Sequence, residues 1–133
     1  MGTTQRAGST LLIERLESAD EIRQARLAAL GEIERALDFE VYNKFKDDLD
    51  AKRITREKFD EFLSERKTLY IAELKLRGAD IGKIASQLES LNPQLKEAIE
   101  KLSEEISALN NTVNILSAIG RVIDIIARIV GLA

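Results

Sequence analysis

The chain has 133 residues, 44% apolar and 32% charged, with a net charge of -3 and a pI near 5.2. That length suits a single domain with a real core, and the acidic balance gives no global attraction to phosphate backbones, which argues against nucleic acid as a partner. Cysteine and histidine are both absent, which excludes disulfides, thiolate catalysis, thiolate- or imidazole-bound zinc and Ser-His relays. No catalytic residue, cofactor or metal ligand is therefore expected, and the chain reads as non-enzymatic.

The start, MGTTQRAGST, is polar, and the apolar run Leu11-Leu12-Ile13 falls short of the roughly 7–15 apolar residues of a secretory leader. Arg6 stands where a myristoylation signal beginning at Gly2 wants Ser or Thr. The expected location is cytoplasmic. From about residue 9 to 50, Leu12, Leu16, Ala19, Leu30, Ile33, Leu37, Val41, Phe45 and Leu49 recur at helical spacing. They mark a first helix with one buried face. Ser18 and Glu21 fit a capping box that would break it early.

The second helix is expected over residues 55–77. Thr55 is its N-cap, Ile54 and Phe59 form a hydrophobic staple, and Gly78 follows Lys75 and Arg77 at its end. Its apolar set is Phe59, Phe62, Leu63, Leu69, Tyr70, Ile71, Leu74 and Leu76. The stretch from Leu49 through Ile54-Thr55-Arg56-Glu57-Lys58-Phe59 resembles the short helix-turn-helix of SHOCT domains, which are small helical hairpins. The resemblance covers about twenty residues, departs at Lys52 or Arg53 where that family carries glycine, and implies no function.

Asp80 caps a short third helix over 81–91, and Asn92-Pro93 reads as a cap followed by an N1 proline, opening a fourth helix over 93–130. At 1.5 Å per residue that last helix spans roughly 57 Å. Three rods of similar length suggest an all-α, elongated antiparallel three-helix bundle, with a shorter four-helix bundle as the alternative.

The last helix carries a heptad. Leu95, Leu102, Leu109, Leu116, Ile123 and Val130 fall seven apart, as do Ile99, Ile106, Val113, Gly120 and Ala127. A second apolar row, Ile115, Ile119, Val122, Ile126 and Ile129, joins it after Glu105. The polar residues Asn110, Asn114, Ser117, Arg121, Asp124 and Arg128 keep to one narrow strip. A helix this apolar is buried on several sides at once. A membrane span fails because three mid-segment charges, at up to about +9 kcal/mol, outweigh the apolar gain of roughly -5 kcal/mol.

The remaining choices are a helix in a core shared with a second copy or a partner helix, a helix lying at a membrane surface, and a helix wrapped by its own chain. The first is preferred. It makes the chain a helical-bundle interaction protein whose interface comprises Ile106, Leu109, Val113, Leu116, Ile119, Gly120, Ile123, Ile126, Ala127 and Val130. Arg121, Asp124 and Arg128 would then set register by ion pairing.

Other chemistry fails on spacing. A calcium loop starting at Asp48 would need an acid or amide, glycine and glutamate where Lys52, Arg53 and Phe59 stand. Glu97, Glu100, Glu104 and Glu105 lie off the apolar seam without histidine. The basic cluster Lys52, Arg53, Arg56, Lys58, Arg66 and Lys67 is interleaved with acids.

Overall fold

A computed structural model of the chain describes residues 2–131, with side chains from Leu11 onward. Five helices occur in it: α1 (Gly2–Asp38), α2 (Glu40–Asp50), α3 (Arg56–Gly78), α4 (Ile81–Ala108) and α5 (Thr112–Val130). The expected all-α bundle is what forms, in its four-helix version, with α1 and α2 making one interrupted rod. The Phe39 backbone (φ -118°, ψ -84°) breaks the rod, but the Asn43 amide still donates to the Phe39 carbonyl, so the two pieces run on. The Ser18–Glu21 capping box opens no break, because α1 is continuous there.

The turn into α3 is organised by Asp48. Its carbonyl accepts from the amides of Arg53 and Ile54, and its buried Oδ1 accepts from Lys44 Nζ (3.1 Å) and Arg53 Nε (2.8 Å). These two cations hold the Asp48 carboxyl below the usual aspartate range against the burial that opposes them. Lys52, one of the two positions at which the chain departs from the glycine of the resembling family, adopts a left-handed φ of 61° that glycine would take without strain. Thr55 caps α3 as expected, accepting from the Lys58 amide at 3.1 Å. At the other end of α3, Arg23 Nη1 reaches across from α1 to the carbonyls of Leu76 (3.4 Å) and Ala79 (2.6 Å). It thereby satisfies acceptors that the helix end leaves free. Asp80 then caps α4 through the Gly82 amide.

The helix boundaries expected after residue 91 are corrected. There is no break at Asn92-Pro93: α4 runs unbroken from Ile81 to Ala108 with Pro93 inside it. An interior proline costs about 3 kcal/mol, but Leu88 and Leu95 lie on one face across it, both wholly buried. Ending the helix there would pull one of them from the core. The break comes at Leu109-Asn110-Asn111 instead. Leu109 turns left-handed (φ 49°, ψ 30°) and donates its amide to the Glu105 carbonyl, closing an αL C-cap. Asn111 caps α5, accepting from the Asn114 amide at 3.0 Å. The single rod over 93–130 is therefore a hairpin.

Four pairs of helices pack in a ring, α1 with α4, α4 with α5, α5 with α3, and α3 with α1. Arg15 of α1 meets Glu89 of α4, and Ala29, Ile33 and Ala36 meet Ile99, Ser103 and Ile106, so α1 and α4 run parallel. Val113 lies beside Ile54 and Thr55, and Gly120 beside Glu65, so α3 and α5 run parallel too. Each parallel pair is antiparallel to the other, as the facing of Lys101 with Ala118 and of Glu105 with Asn114 shows for α4 and α5. The core is aliphatic along most of its length, with Leu30, Leu37, Leu69, Leu76, Leu102 and Ile115 fully buried. At the α2 end Phe45 stacks on Phe62 with centroids 4.1 Å apart.

Candidate interaction surfaces

The bundle itself covers most of the surface that the sequence assigns to a partner. Of the expected interface residues, Ile106, Leu116, Ile119 and Ile126 are buried within the chain. Leu109, Gly120, Ile123, Ala127 and Val130 are half-buried, and only Val113 stands out, 57% exposed. α5 turns its second apolar row, Ile115, Ile119, Val122, Ile126 and Ile129, towards α3 and α4. The strip from Asn110 to Arg128 faces solvent along its whole length, as its polarity requires.

Within the chain the expected register pairs do not form. Among the described residues no ion pair joins Arg121, Asp124 or Arg128 to an opposite charge within 4.0 Å. Asp124 sits near Glu65, whose carboxyl is raised by burial first and then by the charges of Glu61 and Asp124. Arg121 lines a cleft with Glu97, Glu100, Lys101 and Glu104.

Exposed apolar side chains otherwise lie at Leu11, Leu12 and Ile13 of α1, at Phe39, and in one group on α3. Tyr70, Ile71 and Leu74 are 52%, 41% and 42% exposed, all within two turns. Tyr70 also borders a cleft of about 420 Å³ between α1 and α3, lined by Glu34, Asp38, Leu63, Arg66 and Lys67. Arg66 is fixed in that cleft: it pairs with Asp38 at 3.4 Å and lies over the rings of Tyr42 and Phe62. Charge along α3 is mixed: Arg56, Lys58, Arg66 and Lys67 interleave with Glu57, Asp60, Glu61 and Glu65 in its first half, and Glu73, Lys75 and Arg77 follow in its second.

A buried carboxyl pair joins α1 to α3. Glu73 is 1% exposed and pairs with Arg77. Glu34 meets it from α1, and Glu34 Oε1 is buried without a partner. Burial beside a second carboxyl disfavours the ionised form of Glu34. Burial, the hydrogen bond to Glu73 and the charges of Glu73 and Asp38 lift Glu34 from its ordinary 4.5 to about 8, with Arg77 opposing. The folded chain therefore binds a proton that the unfolded chain releases. The resulting stabilisation is complete below about pH 4.5 and is lost as the pH rises towards 8.

Solvent screening at this half-open seam holds the expected loss to about 1–2 kcal/mol. Urea titrations at pH 6 and pH 8.5 should show it, and Glu34→Gln, which keeps a donor towards Glu73, should flatten the profile. A wild-type profile as flat as that of the variant would rule out a proton held on Glu34. The signal for this pair in the sequence is the phase of Glu73, four residues after Leu69 and three before Leu76, in step with the core.

Among the described residues no group of three or more acidic side chains is placed to hold a metal ion, and no helix is long and apolar enough to cross a membrane. No known protein family, curated protein or solved structure matches the chain.

Proposed function

We propose that the chain is a non-enzymatic helical-bundle interaction protein that pairs with a second copy of itself through the outer face of α3. The observation that carries this reading is the exposed group Tyr70, Ile71 and Leu74, where a helix facing only water would carry polar side chains. A second copy carries the same exposed group, so a two-fold contact through α3 covers both groups at once. This reading keeps the expected self-association and moves its surface from α5 to α3.

Light scattering after size exclusion should give twice the 14.9 kDa chain mass. Ile71→Asp with Leu74→Asp should return the mass to that of one chain with the helical signal intact. A wild-type monomer at every concentration, or an unchanged mass in the double variant, would sink the proposal. A lipid role for α5 would require that helix to leave a seat in which Ile115, Ile119, Val122 and Ile126 are wholly buried. Liposome flotation of the intact chain tests it.

A further inference from the structure

The turn between α4 and α5 is three residues long and contains no glycine. Leu109 takes a left-handed backbone there, a conformation that a leucine adopts only when its surroundings hold it. The seven-residue spacing from Leu95 to Val130 passes through the turn without a slip, and no glycine or proline lies between Pro93 and Gly120. A straight helix over these residues would therefore keep one continuous apolar seam. The hairpin leaves that seam uncovered at one place, Val113, which is 57% exposed beside the hinge.

We propose that the α4–α5 hairpin opens into a single straight helix and that two copies exchange α5, each filling the seat vacated in the other bundle. Short strained hinges favour such exchange, because the contacts of the moving element are remade one for one in the partner. Ile115, Ile119, Val122 and Ile126 would meet the same α3 and α4 side chains as before, now from another chain. The gains lie at the hinge. Leu109 returns to helical backbone, and Val113 is covered where the two straight helices cross. The opposing term is the entropy of association, so the exchanged form should grow with concentration. This inference does not rest on pairing through α3, which uses the opposite side of that helix.

The experiment is therefore done in the Ile71→Asp/Leu74→Asp chain, which removes the α3 contact. In that background Asn110→Ala with Asn111→Ala deletes the α5 cap and favours continuous helix. The dimer fraction by light scattering should rise about tenfold, because each exchanged dimer contains two hinges. Leu109→Gly should lower it, since glycine takes the left-handed turn without strain. Because the chain lacks cysteine, the dimer can be identified by cross-linking. Ala98 and Ala118 line the same α4–α5 cleft, so a chain carrying Ala98→Cys and another carrying Ala118→Cys should join by a disulfide after refolding together. A monomeric Asn110→Ala/Asn111→Ala chain, a rise in dimer with Leu109→Gly, or a dimer whose two chains do not cross-link would each overturn the exchange.

Discussion

Ile126→Asp is expected to unfold the chain, not to release a monomer from an assembly. Ile126 is wholly buried on the face that α5 turns towards α3 and α4. An aspartate there meets no cation, because the nearest charges on α5, Arg121, Asp124 and Arg128, lie on the opposite strip. The carboxylate must stay ionised without a partner or take up a proton, and the cavity left by the isoleucine adds to the cost. A loss of 4–5 kcal/mol or more, roughly the whole stability of a small domain, should abolish the cooperative thermal transition in circular dichroism. Ile123→Asp, at a half-buried position, should lower the midpoint yet leave a folded chain. If Ile126→Asp instead melts cooperatively near the wild-type midpoint, α5 does not occupy this seat. The exchanged dimer uses the same seat, so this substitution should destroy both forms alike.

The contrast between Ile126 and Ile123 shows where sequence reading stopped. The heptad through Leu116, Ile123 and Val130 is real, but it borders the buried face of α5; the second row, Ile115 to Ile129, forms its centre. The polar strip located the solvent side correctly, because charged groups must stay hydrated whatever lies opposite. It could not rank two apolar rows, since the neighbour that decides between them is set by the hairpin. The hairpin was hidden for a physical reason as well. Asn92-Pro93 carries the stronger local start signal, but Leu88 and Leu95 hold the helix together across it. Asn110 reads as part of the polar strip, Asn111 lies inside the heptad without a break signal, and a leucine gives no warning that it will turn left-handed.

Local capping was legible at Thr55 and Asp80, but not at Asn111, whose cap falls inside an unbroken heptad. The α3 surface was not. Leu69, Tyr70 and Ile71 were grouped together as apolar, but three consecutive helical residues cannot share a face, and only Leu69 points inward. Glu73 keeps the phase of Leu69 and Leu76, so helix phase and not polarity decides which α3 side chains are buried.

Phe45→Ala should be the most damaging single truncation at the α2 end, by about 3–5 kcal/mol, for it removes a fully buried ring and leaves a cavity. Phe45 stacks on Phe62 at 11° between ring planes, and one turn away Tyr42 meets Phe59 edge-on at 5.9 Å. These two contacts zip α2 to α3, with the Asp48 turn closing one end and Arg66 lying over Tyr42 and Phe62. Once Phe45 is gone, Phe62 has already lost its stacking partner. Phe62→Ala should therefore cost about 1 kcal/mol less in the Phe45→Ala chain than in the wild type. Urea unfolding of the two single variants and the double variant gives that difference directly. Strict additivity would mean that the rings contribute only the water they exclude. Leucine at either position would then serve as well, and the aromatic pairing would have no part in fixing α2 against α3. A positive coupling would place the hairpin's rigidity in the stack and make α2 a fixed part of the bundle, despite the break at Phe39 that separates it from α1.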